Sequence, residues 1–280
     1  MANTIVSIIT VNFNAGDALA QCVNSVLANV TVPCEVIVVD NGSTDDSLAF
    51  LRHKRYADSK VRLVKSRENL GFAVANNIGA AYAVGKYLHF LNPDTVVTPS
   101  LDLAYQALSN NAADAIWVTA IADRNGDRVK SDHLLPIIAN YWQALFCPRQ
   151  ARRWYLGASV IMSREVFERL GGWPIDYFMY AEDLDLFYRA AMLDISVIKC
   201  NATVVHTSEG TTSRVWDERS RWLRKDAAYW KFSQKYGRVP DYFLTHTLSA
   251  LRDMVRDPQA VKYRAYAVFN HRRVASQVDI

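Results

Sequence analysis

The chain of 280 residues is 50% hydrophobic and 21% charged, enough apolar material for a large core and too little charge for a disordered chain. A formal charge of +4 and a pI near 8.8 are only mildly basic, which excludes a dedicated nucleic-acid binder. The cysteines Cys22, Cys34, Cys147 and Cys200 form neither a CxxC pair nor a zinc-finger spacing, and they predict reduced thiols in a cytoplasmic protein.

The first predicted strand runs from Ile5 to Val11, with no cationic start and no long apolar leader before it. Residues 15–29 place Ala18, Leu19, Cys22, Val23, Val26 and Leu27 at helical spacing. Glu35 to Val39 is a second apolar strand. It runs into Asp40-Asn41-Gly42-Ser43-Thr44-Asp45, and the next helix is predicted over 44–52 with Leu48 and Leu51 inward. A strand over 61–65, a helix over 71–84 and a strand over 87–91 complete a βα alternation. Near-continuous apolar strands between helices predict an α/β fold with a mostly parallel sheet covered on both faces.

After residue 95 the pattern loosens. A helix over 101–110 and a strand over 115–120 precede an irregular stretch, 123–153, rich in Arg, Asp and Pro. A strand over 155–162 follows, then a short helix ending at Gly171-Gly172, a helix over 183–193 and one or two strands over 196–205. From residue 217 onward the chain is mostly helical, and no apolar run of about 18 residues predicts a membrane span.

In an open parallel sheet, ligands bind beyond the carboxyl ends of the strands. Those ends carry Thr10-Val11-Asn12, Asp40, Asn69-Leu70-Gly71 and Asn92-Pro93-Asp94, a polar rim suited to a ligand with many hydrogen-bonding groups. Neither GxGxxG nor GxxxxGK[ST] occurs, so a glycine cradle for phosphates is missing. A carboxylate at the fourth strand end suits a diphosphate only with a divalent cation, Mg²⁺ or Mn²⁺, between them. Downstream, Glu182, Asp183 and Asp185 crowd a helix start, where the helix dipole alone favours acids; Asp185 reads as a surface or arginine-paired residue. Trp173 and Tyr177 flank this cluster and either stack on a sugar or belong to the core. The loop from Thr207 to Trp216, with Arg214, has the composition of a lid over phosphates or of an ordinary surface loop.

Taken in order, Ile8 to Asn14, Val38 to Asp45, Asn69-Leu70-Gly71-Phe72, Asn76-Asn77-Ile78-Gly79, Asn92-Pro93-Asp94 and Glu182-Asp183 resemble the family 2 inverting glycosyltransferases, most of all their bacterial rhamnosyltransferase-like branch. The resemblance covers roughly residues 4–210. It implies a GT-A, Rossmann-like nucleotide-diphospho-sugar transferase fold. Residues 1–215 would be the catalytic domain, with 1–95 binding the nucleotide sugar and 96–215 facing the acceptor, and 216–280 a helical C-terminal extension. It further implies that Asp40 reads the base, that Thr10 and Asn12 line base and ribose, and that Asn69 and Asn76 lie near nucleotide and sugar. Asp94 would ligate the metal as the last acid of the DXD motif, whose first position here is Asn92, and His206 would be a further metal contact. Asp183 would be the general base, with Glu182 beside it.

The activity implied is metal-dependent transfer of a sugar from a nucleotide diphosphate to a saccharide or lipid-linked glycan in bacterial cell-surface polysaccharide synthesis. The branch points to L-rhamnose from dTDP-rhamnose, with a UDP-hexose as the alternative. A sugar nucleotidyltransferase would want a cationic loop after the first strand, and Asn12-Phe13-Asn14-Ala15-Gly16-Asp17 has no cation. A non-catalytic binding subunit is the remaining alternative, kept open by Asn92. The tail interleaves Arg219, Arg221, Arg224, Lys225, Lys231 and Lys235 with Trp222, Tyr229, Trp230 and Phe232. This pattern fits either peripheral contact with the inner face of the cell membrane or aromatics packed on the catalytic domain.

Overall fold

The computed structural model describes residues 5–53, 56, 60–110, 114–207, 216–256, 261, 262 and 266. In chain order the strands are β1 (Val6–Asn12), β2 (Cys34–Asn41), β3 (Val61–Ser66), β4 (Tyr87–Leu91), β5 (Thr95–Val97), β6 (Ala115–Ala122), β7 (Arg128–Val129), β8 (Asp132–Leu134), β9 (Arg153–Tyr155), β10 (Ser159–Ser163) and β11 (Ser196–His206). The helices are α1 (Asp17–Asn29), α2 (Phe72–Tyr82), α3 (Ser100–Asn110), α4 (Ile138–Phe146), α5 (Arg164–Leu170), α6 (Glu182–Met192), α7 (Glu218–Lys235) and α8 (Val239–Arg256). The sheet runs β3-β2-β1-β4-β10-β6-β11-β5, with β7 added to β6. Its first four strands are parallel. Beyond β4 it turns mixed, because β10 runs antiparallel to both β4 and β6, while β11 lies parallel to β6.

The alternation within the buried strands sorts side chains to two cores. Val6, Ile8, Val36 and Val38 meet Leu19, Cys22, Val23 and Val26 of α1 on one face. Ile9, Val11, Ile37 and Val39 meet Ala73, Ala75 and Ala80 of α2 on the other, together with Leu186 and Phe187 of α6. This is the period-two signature of a sheet covered on both sides. At Gly79 the fit is closest: a Cβ there would lie 2.4 Å from the Ile9 side chain. A third cluster joins Leu184 and Tyr188 of α6 to Ala228 and Phe232 of α7, so the tail helix packs on the same helix that begins with the acids.

Three elements differ from the sequence expectation. The helix predicted over 44–52 is only a 3₁₀ turn, Ala49–Arg52, although Leu48 and Leu51 do pack on the core. The carboxamide oxygen of Asn14 takes the backbone N–H groups of Thr44 and Asp45, and Asp45 takes that of Ser47, so side chains compete with the helix for its first turn. The stretch expected to be irregular, 123–153, contains β7, β8 and α4. The single strand expected over 155–162 is two, β9 and β10, interrupted at Leu156-Gly157-Ala158. Among the described residues no helix is long and apolar enough to cross a membrane.

Candidate active site

The rim begins where β1 and β2 end side by side, with Asn12 in register with Asp40. The Asn12 amide donates to the Asp40 carboxylate at 3.1 Å and to the hydroxyls of Ser43 and Ser47 at 2.9 and 2.8 Å. It therefore fixes Asp40 and the loop behind it. The Asn41 amide donates to the side-chain oxygen Oδ1 of Asn69 at 2.8 Å, which also accepts the Gly71 N–H, so the turns after β2 and β3 are tied together. Gly71 adopts φ +84°, and a Cβ there would come within 2.5 Å of the Phe178 carbonyl oxygen. Phe72 N–H donates to that same oxygen. The glycine thus lets the Asn69-Leu70-Gly71-Phe72 turn touch the segment that leads into α6.

At the end of β4, the turn through Asn92-Pro93-Asp94 passes into the short edge strand β5. Pairing of β5 with β11 sets His206 opposite Thr95 and carries the imidazole Nε2 to 3.2 Å from Asp94 Oδ1. Thr207 closes the junction by donating its N–H to the Asp94 backbone carbonyl at 2.9 Å. In the same turn, Asn92 Oδ1 is buried with no hydrogen-bond partner among the described residues. One carboxylate, one imidazole and a free amide oxygen match a hard divalent cation that keeps its remaining positions for water and phosphate oxygens. Among the described residues no cluster of three His, Cys, Asp or Glu side chains forms.

The acids open α6 after two residues in the left-handed region, Tyr180 at φ 70° and Ala181 at φ 61°. Non-glycine residues held there cost about 1–3 kcal/mol each, a strain that collects at functional sites. Asp183 accepts the Leu184 N–H at 2.8 Å and the Gly157 N–H at 3.3 Å. Burial pushes its carboxyl up to about 6, against those two donors and the charge of Lys225, which hold it down. Glu182 is pushed further, to about 8, by burial and then by the charge of Asp183, and its Oε2 has no hydrogen-bond partner among the described residues. Asp185 is fully buried. It accepts from Arg189 Nε, Tyr177 Oη, Lys235 Nζ and Tyr236 Oη, which makes it a structural anchor and not a surface acid.

These pieces meet in one cavity of about 880 Å³. Asn92 and His206 line it from the strand ends, Glu182 and Asp183 from α6, and Gly157 from the break between β9 and β10. Lys225 and Tyr229 of α7, with Trp154 and Arg153 of β9, form other parts of the wall. Sequence reasoning assigned no site role to those last four. The basic-aromatic pattern of the tail was visible, but the direction in which α7 turns its faces follows only from packing.

Four of the expected contacts lie deep in the fold: Thr10, Asn12, Asn76 and Trp173 are each 0–1% exposed. Asn12 acts on Asp40, Asn76 donates to the Phe72 carbonyl within α2, and Trp173 packs edge-on to Phe72 and Phe90 in the core. Tyr177 is likewise a core aromatic. Arg214 and most of its loop lie outside the described residues.

The family model for glycosyl transferase family 2 matches residues 7–169, more than half of the chain. The N-acetylglucosaminyl-diphospho-decaprenol L-rhamnosyltransferase of Mycobacterium tuberculosis is 26% identical over 245 residues, covering 75% of this chain and 78% of its own. The glycosyltransferase GlyG of Streptococcus pneumoniae is 29% identical over 113 residues, a match that spans 40% of this chain and 38% of that protein. In three dimensions the chain is similar to the mannosyltransferase PcManGT of Pyrobaculum calidifontis, solved with GDP-Man and Mn²⁺, at a TM-score of 0.61 and 20% identity over 98% of this chain and 76% of the other. The α/β sheet, the polar strand ends and these matches agree, and the chain belongs to glycosyl transferase family 2.

Proposed function

We propose that this protein is an inverting glycosyltransferase that moves a sugar from a nucleotide diphosphate to a saccharide or lipid-linked glycan acceptor. The observation that carries the reading is the single cavity that joins Asn92 and His206 to Glu182 and Asp183. Residues 1–95 bind the nucleotide sugar, with Asp40 and Asn69 at the base and ribose. Residues 96–215 face the acceptor, and α7 and α8 belong to the extension that begins at 216. Asp183 takes the proton of the acceptor hydroxyl as its oxygen attacks the anomeric carbon. The bond from that carbon to the diphosphate oxygen breaks, its electron pair leaves with the nucleotide, and the configuration inverts. Asp94 and His206 would hold Mg²⁺ or Mn²⁺, which neutralises the charge of the departing diphosphate. Glu182, held protonated by burial, offers a hydrogen bond to the substrate.

The donor favoured is dTDP-L-rhamnose, supported by the match across most of the chain to the mycobacterial L-rhamnosyltransferase. A UDP-hexose is the alternative. The name of that relative also supports a polyprenyl-diphosphate-linked sugar as acceptor, in the assembly of a bacterial surface polysaccharide. The test is a panel of nucleotide sugars with Mn²⁺, read first as thermal stabilisation and then as donor hydrolysis with and without EDTA. A protein stabilised by no nucleotide sugar is not a transferase of this kind. In the same assay Asp94→Ala is expected to lose about 10²-fold or more in turnover, the equivalent of several kcal/mol of charge stabilisation. The stabilisation by Mn²⁺ in the presence of a nucleoside diphosphate should vanish with it. A normal Mn²⁺ titration would remove Asp94 from the site.

Peripheral membrane contact, expected from the tail, is better supported at α4. Trp230 and Phe232 of α7 are buried, whereas Trp142, Leu145 and Phe146 of α4 are 60%, 72% and 78% exposed. Tyr141 of the same helix lines the cavity, the exposed Arg149 follows it, and Asp241 of α8 accepts the Ile138 N–H at 3.0 Å, which pins its start. An apolar helix face flanked by cations is the composition that seats on an anionic lipid surface. The double change Leu145→Ser and Phe146→Ser is expected to cut flotation with phosphatidylglycerol vesicles by about tenfold, from the apolar area withdrawn from lipid. Equal flotation of both proteins would show that α4 does not carry the contact.

A further inference from the structure

Lys225 stands one helical turn after Arg221 on α7, on the wall of the cavity that holds Asp183. Its neighbour Asp226 points into the protein and accepts from Tyr242 Oη at 2.9 Å, while Lys225, about 100° around the helix from it, is reached by solvent. The ammonium lies 5.2 Å from the centre of the Tyr180 ring, the residue whose left-handed backbone leads into α6. No carboxylate lies within ion-pair distance of it among the described residues, and it makes no hydrogen bond to them. Asp183 is close enough to feel its charge and too far to pair with it. Of the other lysine and arginine side chains on the cavity wall, Arg153 bonds Asp132 at 2.7 Å, and Lys130, exposed like Lys225, has the charge of that same Asp132 near it.

Surrounding protein and Arg221 draw the Lys225 ammonium below the ordinary lysine value, against the more distant charge of Asp183, which raises it. A cation with that access and no carboxylate within pairing distance among the described residues is a seat for an anion. The same cavity is lined by Trp154, Tyr229, Leu134 and Pro136, an aromatic and aliphatic wall that would accept the first carbons of an apolar chain. We propose that Lys225 binds a phosphate oxyanion of the acceptor, fixing an acceptor that carries a phosphate next to an apolar chain while Asp183 faces its hydroxyl. The inference rests on Asp183 as the acceptor-facing base. It adds a charge requirement on the acceptor and assigns it to a helix outside the segment matched by the family model, which ends at residue 169.

The test uses the full chain with Mn²⁺ and saturating UDP, so that the donor's diphosphate position is filled. Geranyl diphosphate and its parent alcohol geraniol are the probes, read by calorimetry. The wild type is expected to bind the diphosphate at least about tenfold more tightly than the alcohol, as one charge-assisted hydrogen bond provides. Lys225→Ala should erase that preference and leave the dissociation constant of UDP within about twofold, and Lys225→Arg should restore most of it. A preference that persists in Lys225→Ala overturns the proposal. So does a loss of UDP affinity equal to the loss for geranyl diphosphate, which would give Lys225 to the donor. Because both probes bind without transfer, a Lys225-dependent preference in a protein that binds no nucleotide would sink the transferase reading and leave the phosphate seat standing.

Discussion

Asp183→Asn is expected to lower sugar transfer by about 10²–10⁴-fold, the usual contribution of a positioned general base, while donor affinity stays within about twofold. Asparagine keeps the size of the side chain, and its one carboxamide oxygen can still accept one of the two N–H groups, Leu184 or Gly157, that orient the carboxylate. What it loses is the ability to take a proton. The pH dependence gives an independent signature. Burial raises the Asp183 carboxyl to about 6, so the ionised base is complete above that value and transfer should fall as the pH drops through it. The same shift has the opposite sign for stability. A carboxyl with a raised value in the folded state holds a proton that the unfolded chain releases, so its contribution is complete in acid and is lost as the pH rises through about 6 for Asp183 and about 8 for Glu182. The site gains activity and loses stability over one pH range, as expected where function strains a fold. Initial rates against pH for wild type and variant, with donor binding by calorimetry, check both halves. Turnover of Asp183→Asn within a few-fold of wild type would pass the role to Glu182.

The N-terminal half of the fold was legible because β1, β2 and β4 are buried along their whole length and run into Asn12, Asp40-Asn41 and Asn92-Pro93-Asp94, a pattern that a twice-covered parallel sheet explains. Its limits were local. Ser43 and Thr44 advertise a helix cap, yet Ser43, Asp45 and Ser47 bond back to the loop and to Asn12, and the helix shrinks to the turn Ala49–Arg52. Further on, β5 has three residues and no alternation to betray it, although its pairing with β11 is what brings Asp94 and His206 within 3.2 Å. Helix α4 was hidden for a different reason. Its large apolar side chains face outward, so the stripe that marks a core-facing helix is inverted. At the site, Asp94, Glu182, Asp183 and His206 could be chosen as chemistry-bearing types, and the cavity brings three of them together with Asn92. Thr10, Asn12, Asn76 and Trp173 sit in the same motifs but one layer deeper, a difference of side-chain direction that motif order does not encode. Lys225 was one of many tail cations, and only the docking of α7 on α6 singles it out.

That docking depends on Asp185, and Asp185→Ala is expected to destabilise the protein by about 3–5 kcal/mol, because removing one partner of a buried charge network strands the others. The carboxylate is 0% exposed and serves two directions. Oδ1 takes Arg189 Nε at 2.7 Å, and the same guanidinium donates to the carbonyl oxygens of Leu170 and Gly172, which fastens α6 to the end of α5. Oδ2 takes Tyr177 Oη at 2.9 Å, Lys235 Nζ at 3.0 Å and Tyr236 Oη at 3.1 Å, which fastens α6 to the last turn of α7. Asparagine does not rescue this arrangement. Its single acceptor oxygen cannot face both sets of donors, and its amide would point N–H groups at donors, so Asp185→Asn should lose most of what Asp185→Ala loses. A loss of this size should lower the melting temperature by roughly 10 °C. Single-donor changes such as Tyr236→Phe, which leave the carboxylate paired, should cost only about 1 kcal/mol. Since α7 carries Lys225 and α6 carries Asp183, Asp185 variants that remain folded should also release α7 to proteolysis before the sheet and lose transfer without touching a substrate atom. Melting within about 2 °C of wild type for Asp185→Ala would mean that Tyr177, Lys235 and Tyr236 hold α7 in place without it.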